Sequence, residues 1–232
     1  MLFKKAILII HGFGGGTYDQ EYLAQRLELV RNFDVYTFTL AGHDGLFKSN
    51  MKEEEWIKSA EEMMQFLIKN GYTNIYVIGH SMGGVIASYL ATKYKEIKKI
   101  VFVSAAFRYM EFKDGSFDLL KSLKKTPTLA KDYSKDEIIT RILKMPIPSI
   151  KEFMNLVKNN EHCLEKINIK TLIIQGNNDC MVPLETAEFI YNKIKAKEKH
   201  ILIYDNVTHD VFRSDKKEEI TNTIKKFLKD EL

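Results

Sequence analysis

The 232-residue sequence predicts an α/β fold, a mainly parallel sheet with helices on both faces and one helical insertion. Three observations carry that prediction. Short apolar runs rich in β-branched residues alternate with longer stretches of helical periodicity, as strands buried on both faces and their covering helices do. Glycines flank a serine at one junction between strand and helix, in Gly79-His80-Ser81-Met82-Gly83-Gly84. The alternation breaks only once, across residues 105–170.

Strands are expected near residues 6–10, 34–39, 74–78, 99–104, 171–175 and 200–204. Between them, helices are expected near 18–30, 53–70, 82–94, 184–194 and 215–229. Gly71 stands where a residue with positive φ commonly ends a helix, and Pro183 stands at the expected first turn of another, where its missing N–H costs nothing. This divides the chain into a core of residues 1–104 and 171–232 and a helical lid, or cap, at 105–170. Pro127, Pro146 and Pro148 are expected to end or kink helices inside the insertion. Its apolar residues, Phe107, Phe112, Phe117, Leu119, Leu120, Ile138, Ile142, Leu143 and Phe153, suit a small satellite core, and any that face the serine would line an apolar acyl site.

Composition narrows the class. A chain of this length forms one domain with a substantial core, and 45% hydrophobic with 28% charged residues is ordinary for a globular protein. Its 35 basic and 31 acidic residues are interspersed, unlike the one-sided charge of a nucleic-acid binder, so no nucleic-acid partner is expected. Cys163 and Cys180 are too few for a disulfide framework and suit a reducing, cytoplasmic setting. The six histidines show no metal-ligand spacing, so neither metal nor cofactor is expected. The apolar run Ala6-Ile7-Leu8-Ile9-Ile10 is read as a buried strand rather than a signal peptide, and no run of 18 apolar residues offers a membrane span. The closing Lys229-Asp230-Glu231-Leu232 spells a retention address and Asn206-Val207-Thr208 a glycosylation sequon; both are read as coincidence.

The chemistry starts at Ser81. In a strand–turn–helix elbow of the form G-x-S-x-G, the serine occupies a strained turn that exposes its hydroxyl above the sheet, and small neighbours let the backbone pack closely. A hydroxyl is a weak nucleophile at neutral pH, so a base must stand beside it and a third group must orient that base. Asp179 and His209 each lie just past the carboxyl end of an expected strand, where an open α/β sheet places its ligands. The Met82 N–H, at the start of the next helix, can hold an oxyanion, and the Phe13 N–H in His11-Gly12-Phe13-Gly14-Gly15-Gly16 is the candidate second donor. Phe13 and His80 are candidate pocket-lining, substrate-binding residues, and His11 is a structural or pocket-lining one.

These segments resemble the carboxylesterase and monoacylglycerol-lipase branch of the α/β-hydrolase superfamily. The likeness rests on His11-Gly12-Phe13-Gly14-Gly15, Ala41-Gly42-His43-Asp44-Gly45, Gly79-His80-Ser81-Met82-Gly83-Gly84, Gly176-Asn177-Asn178-Asp179 with Val182-Pro183, and Thr208-His209-Asp210. It implies hydrolysis of carboxylic esters through an acyl-enzyme beneath a helical lid. Relatives often carry glycine directly after the histidine of the second segment, where this chain has Asp44, so no catalytic role is carried over to His43.

Blander readings compete at each position. Ser81 could be an ordinary helix N-cap, Asp179 a turn residue with Asp205 as the true acid, and His209 a loop histidine with His200 as its rival. Cys180 reads as a small hydrophobe. The expected activity is hydrolysis of short- to medium-chain carboxylic esters, with monoacylglycerols among the small-molecule substrates. The alternatives are thioester, amide or carbon–carbon hydrolysis by the same triad, or a ligand-sensing module of the same fold.

Overall fold

The computed structural model describes residues 4–43, 51–108, 112–113, 116–117 and 147–232. Six parallel strands form the main sheet in the order β2-β1-β3-β4-β7-β8. They are β1 (Lys5–Ile10), β2 (Phe33–Thr37), β3 (Ile75–His80), β4 (Ile97–Val103), β7 (Lys170–Gly176) and β8 (Lys199–Tyr204). Two-residue strands β5 (Phe112–Lys113) and β6 (Ser116–Phe117) pair with each other. The helices are α1 (Glu21–Glu28), α2 (Glu53–Lys69), α3 (Met82–Lys93), α4 (Ile147–Asn160), α5 (Glu185–Lys193) and α6 (Lys217–Leu228).

Period-two alternation along the strands sends successive side chains to opposite faces, and each face carries its own core. Ile7, Ile9, Ile78, Val101, Val103, Leu172 and Ile174 meet Leu23 and Leu27 of α1 and Ile220, Ile224 and Phe227 of α6. On the other face Leu8, Ile10, Val77, Ile100, Phe102 and Ile173 meet α2 through Trp56, α3 through Val85 and Ile86, α4 through Phe153 and Leu156, and α5 through Ala187 and Ile190. Both faces of β1, β3, β4 and β7 are covered, which is why these strands read as unbroken apolar runs.

All six expected main-sheet strands form, within about two residues at either end. The expected helix at 18–30 instead divides into a tight 3-10 turn, Thr17–Gln20, followed by α1. Gly71 ends the α2 region with φ +86° as expected. Pro183 precedes its helix rather than entering the first turn: its carbonyl accepts Thr186 N–H at 2.9 Å, and α5 starts at Glu185. Pro148, by contrast, occupies the first turn of α4, where proline is tolerated, so it opens a helix instead of breaking one. Leu119, Leu120, Ile138, Ile142, Leu143, Pro127 and Pro146 lie outside the described residues.

The described end of the insertion is firmly seated. Met51 N–H donates to the buried Ser149 hydroxyl at 3.0 Å, Glu53 N–H donates to Glu152 Oε2 at 3.3 Å, and Asn159 Nδ2 donates to both Glu53 carboxylate oxygens at 3.0 Å. Side chains of α4 thus satisfy N–H groups that the start of α2 leaves without an intrahelical partner.

Candidate active site

β3 delivers Ser81 to the carboxyl edge of the sheet and α3 leaves from it at once. Ser81 holds φ +53° and ψ −119°, a strained conformation for a non-glycine residue. The turn survives because its backbone is pinned: Ser81 N–H donates to the Val103 carbonyl at 2.9 Å, and the Ser81 carbonyl accepts Gly84 N–H at 3.0 Å and Ala106 N–H at 3.1 Å. The spacing of the glycines has a steric cause. A Cβ on Gly79 would lie 2.4 Å from the Gly83 carbonyl oxygen, and one on Gly83 would lie 2.2 Å from that of Ile10. Ser81 occupies the N-cap position of α3 but its side chain makes no capping hydrogen bond, so the helix-cap reading fails.

Asp179 follows β7, and His209 follows β8. They meet with His209 Nδ1 2.8 Å from Asp179 Oδ2, both side chains almost wholly buried. The carboxylate is held from every side. Gln175 Nε2 donates to Oδ2 at 2.8 Å, while Met181 N–H and Val182 N–H donate to Oδ1 at 2.8 and 2.9 Å. Burial alone would raise the Asp179 pKa, but the charge and hydrogen bond of His209 and the two backbone donors outweigh it, and the carboxyl titrates below its ordinary value. A carboxylate accepting from Nδ1 leaves the Nε2 lone pair of His209 available to take a proton.

The rival residues are engaged elsewhere. Asp205 accepts a hydrogen bond from Asn177 Nδ2 at 2.7 Å on the exposed surface, and His200, also exposed, turns its ring toward Phe227 at 6.4 Å.

His80 joins the base to the elbow. Its Nε2 donates to the His209 carbonyl at 3.1 Å, Gln20 Nε2 lies 3.5 Å from its Nδ1, and the His80 and His209 rings are 5.0 Å apart. A carbonyl only accepts, so Nε2 carries the hydrogen, and an amide NH2 only donates, so Nδ1 accepts from Gln20 and the ring is neutral. Burial, reinforced by the neighbouring His209, pushes its pKa down to about 4. His11 is the corresponding brace for the first loop, with Nδ1 at 2.8 Å from the Gly12 carbonyl and Nε2 accepting Leu40 N–H at 3.0 Å.

That loop comes close to the serine: a Cβ on Gly12 would lie 3.0 Å from Ser81 Cβ and 3.5 Å from its Oγ. Phe13, the next residue, has its ring stacked on Phe153 (5.1 Å, 14°), edge-on to Trp56 (5.7 Å, 77°) and near His43 (6.1 Å). Among the described residues, neither Phe13 N–H nor Met82 N–H has a hydrogen-bond acceptor. Nor does the Ser81 hydroxyl hydrogen-bond to His209 among the described residues, a contact that in such sites often tightens only with substrate bound. The structure therefore joins Asp179 to His209 directly, and brings His209, Ser81 and the Phe13 loop to one edge through His80 and Gly12. Gln20, Gln175 and Trp56 escaped the sequence reading, which took Phe153 only as one of the insertion's apolar residues. Only Gln175, a polar residue near the end of an apolar strand and four residues before Asp179, left a signal there.

Residues 3–217 match the family model described as serine aminopeptidase, S33. The chain belongs to that family. This hydrolase is 24% identical to a carboxylesterase of Bacillus subtilis (strain 168) over 230 residues, 97% of this chain and 92% of the relative. It is 28% identical to a thermostable monoacylglycerol lipase of Bacillus sp. (strain H-257) over 209 residues, 88% of this chain and 82% of the relative. A solved structure from work on the metagenome-derived lipolytic enzymes LipS and LipT superposes on the hydrolase with TM-score 0.78 at 23% identity, covering 98% and 94% of the two chains. A monoglyceride lipase of Saccharomyces cerevisiae superposes with TM-score 0.72 at 19% identity, covering 99% and 88%. These likenesses establish the α/β-hydrolase fold, and the carboxylesterase and lipase relatives place the chain in the branch expected from its motifs.

Proposed function

We propose that the protein is a serine carboxylesterase acting on short- to medium-chain esters, monoacylglycerols included, with Ser81, His209 and Asp179 as its triad. The observation that carries this reading is the buried pair of His209 Nδ1 and Asp179 Oδ2 at 2.8 Å, at the edge of the sheet where Ser81 holds a strained elbow. His209 Nε2 takes the Ser81 proton as Oγ adds to the ester carbonyl. The oxyanion accepts hydrogen bonds from Phe13 N–H and Met82 N–H, and His209 then protonates the departing alcohol. Water adds to the acyl-enzyme with its proton passing to His209, and collapse returns that proton to Ser81 as the carboxylic acid leaves. His80 acts here by holding His209 rather than by contacting substrate.

Residues 105–170 are proposed to cover the acyl site, with α4 as their anchored end. Cys163 is a buried free thiol, in keeping with a reducing compartment. No helix among the described residues is long and apolar enough to cross a membrane.

Hydrolysis of p-nitrophenyl esters from acetate to long acyl chains, by wild type and Ser81→Ala side by side, tests the reading. Turnover should peak at one chain length and fall by about 10⁴-fold or more in the variant. Ser81-independent hydrolysis at every length would remove it and leave thioesters, amides and carbon–carbon bonds as the substrates to try.

A further inference from the structure

The Phe13 loop poses a mechanical problem. Phe13 sits between Gly12 and the run Gly14-Gly15-Gly16, and Gly14 takes φ +73°. Glycines allow the close approach to Ser81 but supply no side chains and little backbone stiffness. An oxyanion donor must nevertheless be held within a fraction of an ångström, because a small misplacement costs orders of magnitude in rate. The Phe13 ring is the large side chain of this stretch, so whatever grips that ring fixes the donor.

Besides the His43 ring, edge-on at 6.1 Å, two rings from distant parts of the chain grip it. Trp56, fully buried on α2, meets it edge-on, and Phe153, 3% exposed on α4, stacks nearly parallel at 5.1 Å. The two helices that carry these rings are locked together where α2 begins, through Ser149, Glu152 and Asn159. Phe153 also lines, with Phe107, Arg108, Met154 and Val157, a cavity of about 550 Å³.

We propose that Phe153 is a positioning residue for the reaction: its ring holds Phe13 and, through it, the backbone N–H that receives the oxyanion. The proposal rests on the esterase reading above. It makes the anchored end of the insertion a working part of the catalytic apparatus rather than a cover over it. A residue that merely walls the acyl pocket would matter for long chains alone, whereas a residue that sets the oxyanion donor matters for every ester, acetate included.

The test compares wild type, Phe153→Leu, which removes the planar ring but keeps apolar bulk, and Phe153→Tyr, which keeps the ring. For each, kcat and KM are measured with p-nitrophenyl acetate and p-nitrophenyl octanoate. Phe153→Leu should lower kcat about 10- to 100-fold on both esters with KM little changed, and Phe153→Tyr should keep most of the rate. Trp56 is the only tryptophan, so acrylamide quenching of its emission reads the clamp without turnover and should increase in Phe153→Leu. A loss confined to octanoate, an unchanged kcat, or an equal loss in Phe153→Tyr would overturn the proposal. If Phe153→Leu does not fold, Ser149→Ala, which loosens the tie between α4 and α2, should give the same pattern at smaller amplitude, and an unchanged kcat there overturns it. Activity that survives Ser81→Ala sinks the esterase reading itself, a result separable from any of these.

Discussion

At the carboxyl ends of the strands a buried carboxylate, Asp179, accepts from His209 at 2.8 Å; at the amino ends a buried ammonium, Lys99, donates to the Phe227 and Leu228 carbonyls at 2.8 and 2.9 Å. Lys99 is 3% exposed, lies 2.8 Å from Asp230 and has its charge over the Tyr76 and Phe227 rings at 5.1 and 5.4 Å. Both ends of the sheet thus hold a charge in a dry place, and the partners decide what it can do. Asp179 faces an imidazole, which can gain and lose a proton, and the far nitrogen of that imidazole remains open. Lys99 faces the last carbonyls of α6, which accept hydrogen bonds and exchange nothing, at the negative end of the helix dipole. Burial pulls the Lys99 pKa down and Asp230 opposes the shift. A buried charge is therefore a weak pointer to function until its partners are known.

The largest effect expected from this contrast is at Asp179. Asp179→Asn keeps the shape but removes the charge that holds His209 in its reactive tautomer, and kcat should fall about 10⁴-fold in the p-nitrophenyl ester assay. A loss of only a few-fold would mean that another acid supports His209. Lys99→Met should do the reverse. It removes the hydrogen bonds of Lys99 to two helix carbonyls and its ion pair with Asp230, which keeps Lys170 at 2.9 Å, and should cost about 1–3 kcal/mol in urea unfolding, while kcat stays at the wild-type value. A fall in kcat without a change in stability would erase the distinction between the two ends.

The last effect concerns pH. His80 is held by burial at about 4 against an ordinary 6.5, so between these values the unfolded chain binds a proton that the folded chain refuses. Stability should decline as pH falls through that window, and Asp179, also depressed, extends the decline further into acid as it protonates. His80→Gln removes the first contribution. Its unfolding midpoint should drop less steeply than that of wild type from pH 6.5 to 4, and an identical slope would show that His80 is not the group responsible.

The sequence spoke most clearly where causes are local. Glycines two before and two after Ser81 announced an elbow because the crowding they relieve comes from the adjoining helix turn and the neighbouring strand, as the Gly79 and Gly83 clashes show. Asp179 and His209 were legible because each sits in a loop directly after an apolar strand, and the parallel order brings all such loops to one edge. Asp205 offered the same residue type near the same edge, and the place of Asp179 just past its strand is what told the two apart in the sequence. Gln20 escaped because it reaches His80 across 60 residues, and Lys99 because it reaches Phe227 across 128. Phe153 was grouped with the apolar residues of a lid, and hydrophobic periodicity does not say which ring a phenylalanine will face.

By itself, then, the chain's pattern determined the class of fold, the order of strand and helix, and the three side chains most suited to acyl transfer, because strand alternation, turn sterics and the chemistry of serine, histidine and aspartate are properties of short segments. Tertiary structure alone decided that His80 reaches the His209 carbonyl, that Lys99 caps α6 and that Phe153 of α4 stacks on Phe13. Each of these is a distance of a few ångströms between residues far apart in the chain, set by how two cores pack against opposite faces of one sheet.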